Sequence, residues 1–323
     1  MTAGVRIEES ASQRSAKMTE LLILTNSYDA TTDVLLNKLD GASVFRLNFD
    51  QILTCRIRFN GDGFDISDST GRTVNSQTVR KAYWRKPFHG EHEEQNFWSK
   101  YVDAEMRYFL AELVNLLWSS RKLVLVEPFS ERRTGKLLQL SCAQDFFAVP
   151  DYEFVLNDAP RATAAVVKSL SSEPLGDKVL YTTKVSTDEL DLRYPWFVEQ
   201  CIVASHDVTV VFVRGQMFAF SLDRSGLKDS VDWRESISTK QDWTPHSLPK
   251  YMCAAIANYM ERLKLDYGRF DFLLDQQQRY WFCEVNPNGQ FAWLDLNGEH
   301  GLLDAVVAEI SPTTEIHPIP NRQ

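Results

Sequence analysis

A strand-forming run that ends in an acid and a turn constrains this chain more than any other feature. Residues 280–295 read YWFCEVNPNGQFAWLD, so an aromatic start is followed by Glu284 and then by Asn-Pro-Asn-Gly at 286–289. Pro and Gly at these places are typical of a tight turn, and the strand has to end there. A second strand pattern at 269–274 precedes it across Asp-Gln-Gln-Gln at 275–278. The two runs are predicted to form a β-hairpin whose second strand ends in polar groups.

The polar groups of this hairpin predict a metal site. Asp271 lies on the first strand and Glu284 near the end of the second, so their carboxylates converge if the two residues pair across the sheet. Asn286 is two residues beyond Glu284 and projects from the same face. Two carboxylates and an amide oxygen are hard donors of the kind that Mg²⁺ prefers. The spacing leaves a second interpretation open, in which 286–289 is only a turn and Glu284 is a solvated residue at a sheet edge.

Two lysines predict an anionic ligand. Lys168 ends the apolar run 164–168 before a polar loop, and Lys136 belongs to a helical pattern at 131–148. A nucleotide site needs cations against its phosphates, and a strand-end lysine beneath a loop supplies one. An ordinary solvated strand end is the alternative interpretation of Lys168.

The rest of the chain predicts a mixed α/β (α+β) architecture. Apolar runs at 21–24 and 43–47 flank a short helical pattern at 34–39, which is typical of a parallel strand–helix–strand unit. A β-meander pattern covers 56–86, and an amphipathic helix is predicted over 98–118. No Gly-rich phosphate loop follows the first strand, so the pattern does not favour a dinucleotide-binding fold.

These patterns divide the chain into an arm and three domains. Residues 1–18 are polar and are expected to form a disordered arm without a secretory signal. An α/β domain is predicted over 19–127, a small α+β domain over 128–200, and a domain rich in alternating strands over 201–315.

Composition argues against two classes of partner. A net charge of −9 disfavours non-specific binding of nucleic acid. No apolar run approaches the roughly 18 residues of a membrane helix. The five cysteines form no CxxC pair, which is typical of reduced thiols. We therefore expect a cytoplasmic protein that binds neither nucleic acid nor membrane.

Taken together, these residues resemble the ATP-grasp superfamily. The segment E-V-N-P-N-G-Q at 284–290, with Trp293 and Asp295, is similar to the peptide-modifying ligases of the microviridin (graspetide) class, which mature ribosomal peptides. The other stretches that fit this class are Trp84-Arg85-Lys86-Pro87, Lys136 with Gln139, Leu140, Ala143 and Val149-Pro150, and Asp232-Trp233-Arg234. The resemblance covers about residues 20–310. It implies an ATP-grasp fold with an amino-terminal pre-ATP-grasp α/β domain, a small central domain and a carboxy-terminal antiparallel-sheet domain.

The resemblance implies a role for each matching residue. Two Mg²⁺ ions that bridge the ATP phosphates would be held by Asp271, Glu284 and Asn286. The other implied contacts are Lys136 and Lys168 to the phosphates, Glu199, Gln200, Cys201 and Ile202 to adenine, Asp207 to the ribose, and Arg234 to the γ-phosphate or acyl phosphate. Thr209 stands where these ligases often have an arginine, so Arg234 or Arg269 would supply that charge. The candidate catalytic cations are therefore Arg234, Lys168 and Arg269.

The activity that the resemblance implies is ATP-dependent macrocyclisation of a precursor peptide with a leader and an acidic, hydroxyl-rich core. An Asp or Glu side chain of the peptide becomes an acyl phosphate with release of ADP. A Ser or Thr hydroxyl or a Lys amine then displaces phosphate to give an ester or an amide. Two alternatives stay open: a ligase that adds free amino acids to a protein or peptide tail, and a nucleotide-binding regulator without turnover. The sequence does not distinguish ester from amide, and it leaves a homodimer open.

Overall fold

The computed structural model describes residues 19–41, 43–87, 97–162, 164–171, 182–225 and 243–313. Three features singled out in the sequence lie outside these ranges. They are the arm at 1–18, most of the polar loop after Lys168, and the stretch 232–234 with the candidate catalytic Arg234.

The described ranges contain strands and helices that alternate in the first part of the chain and separate into sheets in the second. The strands are β1 (Leu21–Thr25), β2 (Val44–Asn48), β3 (Arg56–Asn60), β4 (Gly63–Ser67), β5 (Thr73–Asn75), β6 (Lys81–Trp84), β7 (Leu123–Val124), β8 (Tyr152–Val155), β9 (Ala164–Lys168), β10 (Thr183–Ser186), β11 (Trp196–Gln200), β12 (Ala204–Val213), β13 (Gln216–Asp223), β14 (Thr244–Pro245), β15 (Tyr267–Asp275) and β16 (Tyr280–Asn286). The helices are α1 (Ala30–Leu36), α2 (Phe97–Ser119), α3 (Ser130–Arg133), α4 (Lys136–Ala143), α5 (Lys250–Leu263) and α6 (Leu302–Ile310).

The amino-terminal part is built on a parallel sheet of four strands in the order β2-β1-β6-β7. Every residue of β1 is buried, as expected for a central strand covered on both faces. The predicted strand–helix–strand unit is confirmed, but α1 begins at Ala30 rather than at residue 34. The reason is a cap: the Asp29 carboxylate accepts a hydrogen bond from the Thr31 amide at 3.2 Å.

The predicted meander over 56–86 is partly wrong. Strands β3, β4 and β5 do form a separate antiparallel sheet. Strand β6 instead joins the parallel sheet between β1 and β7, because Lys81–Tyr83 are buried there on both faces. Helix α2 agrees with its prediction, and no helix in the described ranges is long and apolar enough to cross a membrane.

The helix predicted over 131–148 is broken into two. Helix α3 ends at Arg133 and α4 begins at Lys136, because Thr134 leaves helical geometry and Gly135 is extended. This restart places Lys136 at the first turn of α4, directly beside β16, which α4 contacts.

Two antiparallel sheets make up the rest of the molecule. The central sheet has the order β10-β9-β11-β8, and the carboxy-terminal sheet has the order β14-β13-β12-β15-β16. The predicted hairpin is confirmed as β15 and β16, with Asp271 opposite Glu284. The central strands come from within 152–200 and the carboxy-terminal ones from within 204–286. The boundaries predicted at 127 and 200 stay predictions.

The two faces of the carboxy-terminal sheet have different neighbours. One face packs on α5 through an aromatic core that includes Phe270, Phe272 and Phe282. The other face packs in part on α6 and on the first sheet, through residues such as Val211 and Tyr267. The remainder of that second face carries the polar residues of the hairpin. The fold therefore covers one part of this second face and leaves the part with the polar residues of the hairpin for a site.

Candidate active site

A β-bulge in β16 places the two acids of the hairpin, Asp271 and Glu284, on the same face of the sheet. Asp271 pairs with Glu284, but the pairing then skips Cys283, which is one extra residue on β16. Phe282 and Val285 both belong to the core, so Cys283 and Glu284 between them face away from it. The sequence analysis treated β16 as a regular strand. The spacing of three between Phe282 and Val285, which breaks the alternation of two, was the signal for the bulge.

Glu284 and Asn286 form the polar end of β16. The Asn286 Nδ2 donates to Glu284 Oε1 at 3.1 Å, a bond that leaves the amide oxygen of Asn286 to act as a ligand. Burial disfavours the charge of Glu284, but the charges of Lys136 and Lys168 outweigh burial and lower the pKa of this carboxyl. The Lys136 Nζ lies 3.8 Å from Glu284 Oε2. Glu284 is therefore ionised at neutral pH.

Asp271 is held by two neighbours. The Arg269 Nη2 donates to Asp271 Oδ2 at 2.9 Å, and the Thr209 hydroxyl lies 3.1 Å from Asp271 Oδ1. Burial, reinforced by the nearby charge of Glu284, raises the pKa of Asp271 even though Arg269 opposes the shift. Thr209 lies directly across the sheet from Asp271, at the position where an arginine was expected. The guanidinium of Arg269 beside Asp271 supports the expectation that Arg269 supplies the missing charge.

The donor set fits a divalent cation that arrives with a phosphate ligand. Asp271, Glu284 and Asn286 offer two carboxylates and one amide oxygen, which suit Mg²⁺. Among the described residues, no cluster of three or more His, Cys, Asp or Glu side chains forms a metal cage. A Mg²⁺ ion here would take its remaining ligands from water and from phosphate oxygens, which is how this ion is usually bound at nucleotide sites.

Two lysines reach this site, Lys168 from the end of β9 in the central sheet and Lys136 from the start of α4. The Lys168 Nζ donates to Glu199 Oε2 at 2.5 Å, and the Lys136 Nζ donates to the Ser169 carbonyl at 2.6 Å. Burial opposes the charge of Lys168, but Glu199 outweighs it and raises the pKa of this lysine. Burial raises the pKa of the nearby Cys283 thiol to about 12. Lys168 is therefore a fixed cation, and Cys283 is a neutral thiol.

The residues expected at adenine lie where the central sheet ends. The Glu199 side chain is buried and paired with Lys168, so only the backbone of this residue suits a base. The Gln200 amide donates to the Asp151 carbonyl at 2.7 Å. Cys201 and Ile202 then form an irregular, half-buried segment between β11 and β12. Their adenine contacts stay a prediction.

Arg224 contacts a candidate site residue, and the sequence did not predict this contact. Its Nη1 donates to both carboxylate oxygens of Asp207, at 2.9 and 2.7 Å. Asp207 was expected to bind ribose hydroxyls, so such a ligand would have to share or displace this ion pair. The alternating strand pattern within 201–315 was the available signal, because β12 and β13 form a hairpin that brings the end of β13 back to the start of β12.

Gln139 is a second residue whose contact the sequence did not reveal. Strand β16 is an edge strand, and the outward Val285 amide donates to Gln139 Oε1 at 2.9 Å. The Gln139 Nε2 in turn donates to the Thr134 carbonyl at 2.6 Å. Val285 lies between the two candidate ligands on β16. Gln139 therefore holds the backbone that connects Glu284 with Asn286.

Solved structures match this chain over most of its length. A RiPP-associated ATP-grasp ligase from Chryseobacterium gregarium, in complex with ADP and a leader and core peptide, has a TM-score of 0.79 at 22% identity and covers 95% of this chain and 100% of its own. The macrocyclase MdnC from Microcystis aeruginosa MRC, bound with precursor peptide MdnA, has a TM-score of 0.75 at 22% identity and covers 90% and 98%. The ATP-grasp ligase PsnB, with a phosphomimetic variant of a minimal precursor, Mg and ADP, has a TM-score of 0.67 at 13% identity and covers 90% and 98%.

The chain has the ATP-grasp fold. The predicted fold class is thereby confirmed. No family model and no curated protein matches the chain.

Replacing Gln139 by leucine should destabilise the end of β16, the strand that carries the candidate ligands Glu284 and Asn286. The buried Val285 amide would lose its acceptor, which costs about 1–3 kcal/mol in the free energy of unfolding. If Glu284 and Asn286 bind Mg²⁺, the ion should bind about tenfold more weakly in the variant, as when a group that orients metal ligands is removed. Urea unfolding and a Mg²⁺ titration measure the two effects. Gln144, exposed at the end of the same helix, provides the control Gln144→Leu. Equal behaviour of the two variants would contradict the role of Gln139.

Proposed function

We propose that this chain is an ADP-forming ligase that joins side chains within a ribosomally made precursor peptide. The observation that carries the proposal is a group of neighbouring side chains in which two carboxylates and an amide lie beside three cations. These residues are Asp271, Glu284, Asn286, Lys136, Lys168 and Arg269. The likeness to ATP-grasp ligases solved with ADP and precursor peptides supports a peptide substrate.

The proposed reaction has two steps. A side-chain carboxylate of the peptide attacks the γ-phosphorus of ATP, the bond to the β-phosphate oxygen breaks, and ADP leaves. A hydroxyl or amine of the same peptide then attacks the acyl carbon, loses its proton and expels phosphate. Neither step needs a covalent nucleophile on the protein, which agrees with the neutral state of Cys283.

The chain's own residues would position and neutralise charge in this reaction. Asp271, Glu284 and Asn286 would hold Mg²⁺, which supplies charge neutralisation for the phosphates when bound. Lys136 and Lys168 would contact phosphate oxygens. A carboxylate helps to position each of them: the Lys136 Nζ lies 3.8 Å from Glu284, and the Lys168 Nζ lies 2.5 Å from Glu199. Arg269 would stabilise the transferring phosphoryl group, and the candidate Arg234 keeps its proposed role there.

Two further proposals concern the surroundings of the enzyme. We expect it to act in the cytoplasm on a peptide with a leader and a core rich in acidic and hydroxyl side chains. A homodimer stays open. The tail-adding ligase and the nucleotide-binding regulator are the competing functions, and the intact set Asp271, Glu284 and Asn286 favours turnover over regulation.

The test is the intact mass of short acidic peptides encoded beside this gene after incubation with the protein, Mg²⁺ and ATP. Each bond formed should remove the mass of one water and release one ADP. Loss that mild base reverses would show esters, whereas loss that resists base would show amides. A mass gain that depends on added amino acids would show the tail-adding ligase. Nucleotide binding without any ADP release, across the encoded peptides, would contradict the ligase and favour the regulator.

A further inference from the structure

The turn at 286–290, which follows β16, is held by hydrogen bonds from a buried arginine next to the first sheet. Arg85 directly follows β6 and is 2% exposed. Its Nη1 donates to Asn288 Oδ1 at 2.9 Å, and its Nη2 donates to Gln290 Oε1 at 2.7 Å. The guanidinium thus reaches across to two of the four residues that come directly after the candidate ligand Asn286. Two stretches that the sequence singled out separately, at 84–87 and 284–290, meet in this contact.

The same turn is closed from the carboxy-terminal sheet. The Gly289 amide donates to the Asn286 carbonyl at 3.1 Å, and the Tyr267 hydroxyl donates to the Gly289 carbonyl at 2.7 Å. A Cβ on Gly289 would lie 2.8 Å from the Arg269 Cβ, so only glycine allows this approach. The turn is therefore a fixed element with two sides, and Arg85 supplies the side from the first sheet.

Arg85 is itself held in place by charge and by aromatic rings. Its Nε lies 3.5 Å from Asp29 Oδ2, the carboxylate that also caps α1. The guanidinium lies over the rings of Tyr83 and Phe291, at 6.0 and 5.7 Å from their centroids. Thr31 also donates to Gln290 Oε1. A planar fork that contacts two amides at once is a geometry that a lysine cannot reproduce.

We propose that Arg85 is a positioning residue for the metal site, which acts through Asn288 and Gln290 on the ligands at the end of β16. Arg85 touches no candidate ligand, so its effect passes through the turn. The first sheet would then set how well the carboxy-terminal sheet binds Mg²⁺. This inference rests on the proposed function only for the identity of the ligand, because the contacts between Arg85 and the turn involve protein groups alone.

The proposal is tested by calorimetric titration of ADP with and without Mg²⁺, on the full chain. We expect Arg85→Met to reduce the Mg²⁺-dependent gain in ADP affinity by about tenfold or more, and Arg85→Lys to restore little of it. Gln290→Met removes one of the two amide acceptors of Arg85 and leaves Arg85 paired with Asp29. This variant should reduce the Mg²⁺-dependent gain in ADP affinity about threefold or more. ADP affinity without Mg²⁺ should stay within about twofold, because the phosphate-binding lysines are untouched.

Lys38→Ala provides the control. Lys38 lies just after α1 and its Nζ contacts Asp304 on α6 at 2.6 Å, so it also joins the first sheet's layer to the carboxy-terminal part, but on the surface and away from the turn. This variant should bind Mg²⁺ and ADP as the parent does. If Lys38→Ala loses as much of the Mg²⁺-dependent gain as Gln290→Met, the effect is general loosening and the proposal is overturned.

A second measurement separates this inference from the proposed function. Hydrogen exchange of the 284–290 amides, in the protein without nucleotide, should speed up by about tenfold or more in Gln290→Met and in Arg85→Met. Unchanged exchange together with an unchanged Mg²⁺-dependent gain in a folded Gln290→Met protein would overturn the role of Arg85. A parent protein that binds no ADP would overturn the proposed function instead, and the exchange rates would still decide whether Arg85 holds the turn.

Discussion

Replacing Glu284 by glutamine will reduce ATP turnover by about a thousandfold or more while the protein stays folded. Glutamine keeps the size of the side chain and can still accept a hydrogen bond from Asn286, so the strand should not move. What is lost is one of the two negative charges that would face Mg²⁺ and the phosphates. Metal-based stabilisation of phosphoryl transfer is worth several kcal/mol, and about 1.4 kcal/mol corresponds to each factor of ten in rate. ADP release in the presence of peptide, ATP and Mg²⁺ measures the change.

The matched control for this substitution is Glu261→Gln. Glu261 is an exposed acid on α5, which packs on the opposite face of the carboxy-terminal sheet from Glu284, so the same charge change there should leave turnover within about twofold. Turnover by Glu284→Gln above about a tenth of the parent rate would contradict the assignment of Glu284 as a metal ligand.

Replacing Lys168 by methionine will both unfold the protein more easily and remove ATP turnover. Glu199 is buried and would lose the cation that compensates it. Breaking a fully buried ion pair costs about 3–5 kcal/mol, and because the Lys168 side chain is 19% exposed we expect about 2–4 kcal/mol in the free energy of unfolding. Turnover should fall about a hundredfold or more because the proposed phosphate contact of Lys168 would be lost.

The double variant Lys168→Met with Glu199→Gln separates these two effects. Removing both charges leaves no unpaired carboxylate, so most of the lost stability should return while turnover stays low. Urea unfolding and ADP release are the two measurements, with the exposed Lys250→Met as control. Recovery of turnover in the double variant would show that Lys168 acts only on stability and would contradict its role as a phosphate contact.

The sequence predicted the hairpin of the candidate site and singled out the two lysines, Lys136 and Lys168, that lie beside it. The turn residues at 275–278 and the alternation on either side are local signals, and they were enough to predict the hairpin in which the structure pairs Asp271 with Glu284. The bulge at Cys283 was missed because a one-residue insertion changes only the spacing of Phe282 and Val285. The break before Lys136 was missed because a single glycine inside a helical pattern is often tolerated.

The contacts that could not be predicted join residues far apart in the chain. Arg85 and Gln290 are 205 positions apart, and Gln139 and Val285 are 146 apart. Periodicity describes which face of an element is buried, but it carries no information about which distant element covers that face. For these residues only the three-dimensional packing of α4, β6 and β16 supplies the partner.

The position of β16 at the edge of its sheet has a consequence for solubility. The segment YWFCEV is rich in aromatic and β-branched residues and has one charge, a composition that favours intermolecular strand pairing when an edge is open. Two of its outward amides are already used: the Phe282 amide donates to the Ala148 carbonyl at 2.8 Å, and the Val285 amide donates to Gln139. Helix α4 and the segment after it therefore cover this edge and accept hydrogen bonds from its amides. The strand that carries the candidate metal ligands is thereby protected from pairing with strands of other molecules.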